Sequence, residues 1–471
     1  MHTIEQIFIN GEFVTPHGTE WFDLYNPATA QVIGQVRLAD EVDAARAIAA
    51  AKAAFPAWSR TTKQERIAAL KRMHAAVAAR HDDLLEAVIE EYGAPASRSA
   101  WMASYPAEVI AQAIEALEAF EFETTAGAAT VQMTPLGVAG LITPWNSDAG
   151  FICGKLAAAL AAGCTAVLKP SEMSALQTQI VTEALRDAAL PPGVFNIVTG
   201  RGETVGETLS RHPDVAKISF TGSTNTGKAI LRNAAESFKR VTLELGGKSP
   251  TILLEDVDLA QAIPLVIQAG FMNSGQACVA GTRILVPQAR KAEIEAALAQ
   301  AVAAVKSGDP RNSTTDVGPM VSEKQWLRVQ GYIRKGLDEG ARLLAGGEGR
   351  PEGTRDGWFV RPTLFADVNN QMTIARDEIF GPVLCVIPYQ DEAEAIAIAN
   401  DTEYGLSAMV LSGDADRARR VAQQMVSGRV LVNTLAHEPK APFGGFKHSG
   451  VGREMGEWGI RAFMEPRSIL G

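Results

Sequence analysis

A single cysteine set among small residues, in Asn273-Ser274-Gly275-Gln276-Ala277-Cys278-Val279-Ala280-Gly281, has the surroundings an attacking thiol requires. A thiolate is the strongest side-chain nucleophile at neutral pH, and Gly275, Ala277 and Ala280 leave an electrophile room to approach it. Taken alone, the same residue is also compatible with an inert buried thiol. Upstream, the segment Leu243-Glu244-Leu245-Gly246-Gly247-Lys248-Ser249-Pro250 ends an apolar, strand-like run on a carboxylate. Poor solvation there raises a carboxyl pKa toward neutrality, the range of a general base that activates water. An acid facing solvent, or one paired with Lys248, fits the same residues.

Two further segments have the composition of a ligand site. Phe220-Thr221-Gly222-Ser223 follows a strand over 216–220 and opens a helix, so free backbone N–H groups and a positive helix end face one point, as a pyrophosphate requires. It is not the glycine-rich dinucleotide fingerprint, and a plain turn with Ser223 as N-cap is the other reading. Lys169-Pro170-Ser171-Glu172 stands at the end of a strand over 165–168, where open parallel sheets bind ligands. Lys169 and Glu172 supply a donor and an acceptor suited to ribose hydroxyls, and a capped helix start accounts for the same residues.

Positioning such groups takes a large fold. At 471 residues, 46% hydrophobic and 21% charged, the chain reads as a globular protein of at least two domains. A net charge of −10 argues against nucleic acid and anionic membrane as partners, since no basic excess exists to meet phosphates. The first residues lack a basic segment followed by an apolar core, no apolar run reaches membrane-spanning length, and a cytoplasmic protein is the expectation. Cys153, Cys164, Cys278 and Cys385 form no C-x-x-C pair, so reduced thiols and no structural metal are expected.

Alanine and leucine recur at helical spacing over 42–58 and 64–90, predicting two long amphipathic helices. From 138 onward, short apolar runs at 138–142, 165–168, 194–198 and 215–220 alternate with helical stretches, which implies a parallel sheet covered on both faces. A second alternating series follows Gly247, with strands at 251–254 and 283–286 and helices at 259–271 and 289–305. The strand-like stretches 130–134 and 463–469 fit neither sheet.

The segments above resemble the NAD(P)-dependent aldehyde dehydrogenase superfamily, of the hydrolytic, non-acylating branch, from about Phe8 to about Arg467. Thr143-Pro144-Trp145-Asn146, Lys169-Pro170-Ser171-Glu172, Phe220-Thr221-Gly222-Ser223, the Glu244 and Cys278 segments, Glu378-Ile379-Phe380-Gly381-Pro382-Val383, Asn433 and Pro442-Phe443-Gly444-Gly445-Phe446-Lys447-His448-Ser449-Gly450 agree with it in order. The resemblance implies an α/β fold of two parallel-sheet domains, a Rossmann-variant cofactor domain over 1–117 and 136–246 and a catalytic domain over 247–448. A small oligomerisation sheet from 118–135 and 449–471 would build a homodimer or homotetramer. It implies Cys278 as nucleophile, Glu244 as general base and Asn146 as oxyanion donor. Lys169, Glu172, Gly222, Ser223, Glu378, Phe380 and Trp145 would bind NAD, with NADP also possible, and an aldehyde would be oxidised to its acid.

The chain departs from the family pattern after Trp145-Asn146, where an aromatic and a proline are usual and Ser147-Asp148 follow. With Gly154 and Met272 at positions often aromatic in relatives, the aldehyde passage is expected to be wider or more polar and the substrate bulky or polar. Ala277, Val279, His437 and Phe443 complete the expected substrate wall, His437 as an exposed residue. Lys155 is expected to be solvated on a helix face. Two other catalytic readings are a CoA-acylating semialdehyde dehydrogenase, against which Glu244 argues, and a thiol esterase. A binding protein that kept the fold without turnover is a third.

Overall fold

The computed structural model describes residues 1–354 and 356–471. Two large sheets dominate, and both come from the predicted alternation of strand and helix. The first has eight strands in the order Gly450–Val451, Arg240–Glu244, Val215–Thr221, Val138–Ile142, Thr165–Lys169, Phe195–Ile197, Ile7–Ile9 and Glu12–Val14. Its central strands, Val-Ala-Gly-Leu-Ile and Thr-Ala-Val-Leu-Lys, are buried along their whole length because helices cover both faces, so they read as continuous apolar runs rather than alternating ones.

Register decides where chemistry can occur. Ile142 pairs with both Lys169 and Phe220, and Thr221 pairs with Glu244, so the carboxyl ends of four parallel strands form one edge. The segments leaving that edge are those that begin Thr143, Pro170, Gly222 and Leu245.

The second sheet has seven strands in the order Arg342–Ala345, Thr363–Ala366, Val383–Tyr389, Arg283–Pro287, Pro250–Leu253, Ser407–Leu411 and Arg429–Val432. Pro250 pairs with Arg283, Arg283 with Cys385 and Ser407 with Arg429, so the amino ends of five of its strands form one edge. Residues 245–249 run from the carboxyl edge of the first sheet straight to this amino edge. Arg283, wholly buried, fastens the crossing: its Nε donates to the Lys248 carbonyl at 3.0 Å, and its Nη atoms reach Asn370 Oδ1 and the Ile398 and Ala399 carbonyls.

The stretches that fitted neither sheet pair with each other. Met464–Leu470 runs antiparallel to Ala129–Pro135, and Glu123–Ala126 adds an exposed third strand. Gly450–Val451 belongs instead to the first sheet. A second three-stranded sheet, of His2–Ile4, Gln31–Arg37 and Trp21–Asn26, had no counterpart in the sequence reading.

Glu41–Trp58 matches the first predicted helix, with Asp40 closing a capping box. The second, expected to run unbroken over 64–90, does not. It divides into Lys63–Ala78 and His81–Ala87, and a π-helical turn, Val88–Tyr92, ends at Gly93 with φ 76°. The break frees Arg80 to bind Asp83 and Glu183, and the wide turn aims Glu91 inward, where it accepts the backbone N–H of Leu176 and of Gln177. Among the described residues no helix is long and apolar enough to cross a membrane.

Replacing Arg283 by Met removes four charge-assisted donors while relieving a buried charge. The net loss expected is about 2–4 kcal/mol, measurable as a lower midpoint in denaturant. A midpoint equal to that of the unsubstituted chain would show that the crossing does not depend on this guanidinium.

Candidate active site

Cys278 sits in the loop between the Leu259–Phe271 helix and the Arg283–Pro287 strand. The chain reaches it through three consecutive left-handed residues, Asn273 (φ 55°), Ser274 (φ 59°) and Gly275 (φ 74°). For Asn and Ser that conformation is strained, and it persists because the surroundings hold it. Asn273 Nδ2 donates to the Asn146 and Gln276 carbonyls, Ser274 Oγ accepts the Gly318 N–H, and Gln276 Oε1 accepts the Val321 N–H. Asn146 lies directly over this loop, with Nδ2 2.9 Å from the Gln276 carbonyl oxygen. A second amide proton remains on Nδ2. The Cys278 N–H has no backbone acceptor among the described residues and lies against its own sulfur.

Glu244, the last residue of its strand, is buried, and neither carboxylate oxygen has a hydrogen-bond partner among the described residues. The alternatives of a solvated acid or a Lys248 pair therefore fail, since Lys248 Nζ is itself buried and without a partner. Burial, reinforced by Glu454, pushes the Glu244 pKa well above the usual carboxylate range, while Lys155 and Arg453 oppose the shift. Burial and the neighbouring Glu378 and Glu244 push the Cys278 thiol up to about 12, with Arg429 pulling the other way. Both shifts favour the uncharged forms of nucleophile and acid in the free protein.

Lys155 is not solvated, as its place on a helix had suggested. The Asp148–Ala162 helix is buried on nearly all sides, so its lysine cannot reach water. It donates instead to Ser219 Oγ at 2.9 Å and to Glu454 Oε1 at 2.5 Å.

Along the carboxyl edge of the first sheet, Lys169 Nζ meets Glu172 Oε2 at 3.3 Å. Arg201, which sequence reading missed, approaches the other oxygen of Glu172 at 3.3 Å. Burial works against ionisation of Glu172, but Lys169 and Arg201 hold its carboxyl below the usual range. Ser223 is the N-cap of Thr224–Ala235, its Oγ accepting the Thr226 N–H, and its turn is exposed with free N–H groups. The capped-turn reading is thus correct and leaves the ligand reading intact. Gly222 donates its N–H to the Glu244 carbonyl at 3.0 Å. Glu378, from the amino edge of the second sheet, accepts the Gly247 N–H at 3.0 Å, and burial raises its pKa to about 7. Trp145 and Phe380 stand at right angles with centroids 5.4 Å apart. An acceptor beside a lysine, an open helix start and an aromatic pair with a buried carboxylate match, in order, the ribose, pyrophosphate and nicotinamide ends of a dinucleotide.

On the other side of Cys278, Ser147 begins the Asp148–Ala162 helix and Gly154 faces Val109 on the Ala96–Ala119 helix. That second helix brings an aromatic ring beside position 147. The Tyr105 ring packs against Gly150 beside Ser147 and stacks on Trp101 at 4.3 Å. Small residues at 147 and 150 make the room for it. Met272 and Val279 line a cavity with Arg429 and Leu435, Ala277 closes a tight turn with Ala280, the exposed His437 is 6.5 Å from the Tyr105 ring, and Phe443 lies under Arg429. Among the described residues no cluster of His, Cys, Asp or Glu has the arrangement of a metal site.

The aldehyde dehydrogenase family model matches residues 13–469. The chain belongs to the aldehyde dehydrogenase family. It is 44% identical over 473 residues to a 3-succinoylsemialdehyde-pyridine dehydrogenase from a Pseudomonas species, covering 100% of this chain and 99% of that one. Among solved structures it superimposes with a TM-score of 0.98 on a Pseudomonas syringae aldehyde dehydrogenase mutant complexed with NAD+ and octanal, at 44% identity and with 100% and 97% of the chains covered. A Mycobacterium tuberculosis aldehyde dehydrogenase complexed with NAD+ follows at TM-score 0.96 and 41% identity, covering 99% and 98%. The resemblance drawn from the motifs and the fold it implied therefore hold. Nothing in the sequence singled out Arg201, Tyr105 or Arg429, because each acts through a neighbour far away in the chain.

The high thiol pKa of this aldehyde dehydrogenase has a direct readout. Below about pH 12 the thiolate fraction rises tenfold per pH unit. Alkylation of Cys278 by iodoacetamide without cofactor, followed by mass spectrometry, should therefore accelerate by about tenfold per unit between pH 7 and 9. A rate that levels off near pH 8 would contradict it.

Proposed function

We propose that the chain oxidises an aldehyde to the carboxylic acid with NAD, through a thioester on Cys278. The observation that carries the reading is the meeting of a strained cysteine loop, an amide donor and an unpartnered buried carboxylate where the two sheet edges face each other. Lys169 and Glu172 hold the adenosine ribose, Gly222 and Ser223 the pyrophosphate, Glu378 the nicotinamide ribose, and Trp145 and Phe380 flank the ring.

Once deprotonated, the Cys278 sulfur attacks the carbonyl carbon, a C–S bond forms, and the π pair moves to oxygen. The free amide proton of Asn146 and the N–H of Cys278 are the donors for that oxyanion. NAD held by Lys169, Glu172 and the other cofactor residues would supply the two-electron acceptor for the hydride that has to leave this carbon as the C=O bond re-forms. Glu244 then takes a proton from water, whose oxygen adds to the thioester carbon; the C–S bond breaks and sulfur leaves as thiolate. The neutral form of the Glu244 acid must lose its proton before this step, so hydrolysis is favoured by rising pH.

Residues 1–117 with 136–246 form the cofactor domain, to whose sheet Gly450–Val451 adds an edge strand, 247–448 the catalytic domain, and 118–135 with the remainder of 449–471 the oligomerisation segments of a homodimer or homotetramer. The exposed strand Glu123–Ala126 supports this, because an open sheet edge invites a second chain. Ser147, Gly154, Met272, Ala277, Val279, His437 and Phe443 line the aldehyde passage, and a bulky or polar aldehyde fits it. Relatives whose names mention octanal and a pyridyl semialdehyde show that membership alone does not fix the substrate.

Reduced cofactor formed from a panel of aldehydes, with and without CoA, tests the reaction. Cys278→Ala should lower kcat by at least about a hundredfold with NAD affinity nearly unchanged, and Glu244→Gln should give one rapid turnover and then stall. Equal slowing of the first and later turnovers would remove Glu244 from the hydrolytic step, and dependence on CoA would replace water as acyl acceptor.

Glu172 decides the cofactor. Its carboxylate repels a 2′-phosphate, whereas Lys169 and Arg201, once released from it, attract one. Glu172→Ser should raise kcat/KM for NADP about tenfold or more and lower it for NAD, by the scale of a single charge contact. An unchanged ratio would place Glu172 outside the ribose site.

A further inference from the structure

Asp148 stands where the family pattern has a proline, and it is wholly buried. An acid in the first turn of a helix is favourable by itself, but that benefit requires neither burial nor partners from other elements. Asp148 has both. Its Oδ1 accepts the Thr143 hydroxyl at 2.7 Å, its Oδ2 accepts the Thr178 hydroxyl at 2.8 Å, and the Ser171 N–H lies beside it. Burial raises its pKa, and the Thr143 and Thr178 hydroxyls, Lys169 and the Ser171 N–H oppose the rise. Capping does not explain the contact with Thr178, because Glu91 already accepts the Leu176 and Gln177 N–H groups at the start of the Ala175–Asp187 helix.

The bond to Thr143 joins the two ends of the segment 143–148. Between those ends lie Trp145, whose ring meets Phe380, and Asn146, whose Nδ2 rests over the cysteine loop. The bond to Thr178 reaches the helix into which the ribose segment, Lys169 to Glu172, continues. Two further contacts lace the same pair of segments: the Thr143 N–H donates to the Lys169 carbonyl at 3.1 Å, and Ser174 Oγ donates to the Trp145 carbonyl at 3.4 Å. A proline at 148 would stiffen its own backbone and nothing else. The carboxylate fixes the segment by holding it to another.

We propose that Asp148 is a positioning residue for the oxidation: its carboxylate closes the segment that carries the oxyanion donor Asn146 and locks it to the segment that holds the adenosine ribose. The inference rests on the proposed aldehyde oxidation and deepens it. Each hydroxyl meets a different oxygen of one carboxylate, so Thr143 bears on the chemical step, Thr178 on the cofactor, and Asp148 on both. Displacing a reacting or stabilising group by about 1 Å costs on the order of a hundredfold in rate, so a small loosening is enough to be seen.

The test measures the first-turnover rate of reduced cofactor, the Kd for NAD and the thermal midpoint. Thr143→Val should slow the first turnover about tenfold, the scale of one hydrogen bond to a charged group, with Kd changed less than about twofold. Thr143→Ser, which keeps the hydroxyl, should recover most of the rate. Thr178→Val should raise Kd by about fivefold and slow the first turnover less than about threefold. Asp148→Asn, of equal size, should show both losses, and adding Thr143→Val to it should cost little more, because the two act through one bond. Alkylation of Cys278 by iodoacetamide, a reaction that builds no oxyanion, should run at the unsubstituted rate in Thr143→Val. Lower midpoints with rates and affinities unchanged in the threonine variants, or alkylation slowed as much as turnover, would overturn the proposal and leave Asp148 as a packing group. The threonine variants decide the matter even where Asp148→Asn does not fold. Failure of the parent reading looks different, since then the unsubstituted enzyme would form no reduced cofactor from any aldehyde.

Discussion

Gly246 and Gly247 let three segments approach at distances that no side chain would permit. A β-carbon on Gly246 would lie 2.5 Å from Glu378 Oε2, and one on Gly247 would lie 2.2 Å from the Cys278 carbonyl oxygen. Both distances are well inside van der Waals contact, so any larger residue would have to push the cysteine loop or the Glu378 segment away. The same short crossing carries the chain from the carboxyl edge of one sheet to the amino edge of the other. Two parallel sheets normally offer ligands their carboxyl ends. Here one sheet does so, and the second contributes the loops that precede its strands, which bring Cys278 and Glu378 to a site begun by Asn146 and Glu244.

Strand register then distributes the work. Because Ile142 is level with Lys169 and Phe220, and Thr221 with Glu244, the loops that follow those strands emerge side by side. A slip of one residue in any of these pairs would turn its terminal side chain to the other face. The polar ends of the row, Lys169 and Glu244, are tolerated in a buried sheet only because they sit where the strands stop. Arg283, which ties the Lys248 carbonyl to the far side of the second sheet, holds the crossing against that row.

What the sequence revealed follows from what is local. Strands and helices of the alternating region were legible because each buries a continuous apolar face, and Cys278, Glu244 and Asn146 were legible because each sits in a short segment of distinctive composition. The helix break at Ala79–Arg80 was not, because the gain lies in contacts with Glu183 and with the residue 176–177 backbone, about a hundred positions away. Lys155 was misread for the same reason: its partner Glu454 is distant in sequence, and the buried faces of its helix look like any alanine-rich run. The Tyr105 ring beside Ser147 was not legible either, because its place depends on two helices packing closely enough for the ring to rest on Gly150.

The site is also electrostatically unusual in that its two carboxyls disfavour its thiolate. Glu378 and Glu244 act by their charge on Cys278, and desolvation pushes all three groups toward their neutral forms. Ionising either carboxyl makes the thiol harder to ionise, so the free protein disfavours the reactive thiolate. A cation brought alongside, such as an oxidised nicotinamide ring, would ease the ionisation of all three together, and a neutral reduced ring would withdraw that help. Lys155, lying between Ser219 and Glu454, opposes the shift on Glu244 without neutralising it. A stronger ion pair there would have fixed the carboxylate as a permanently charged spectator.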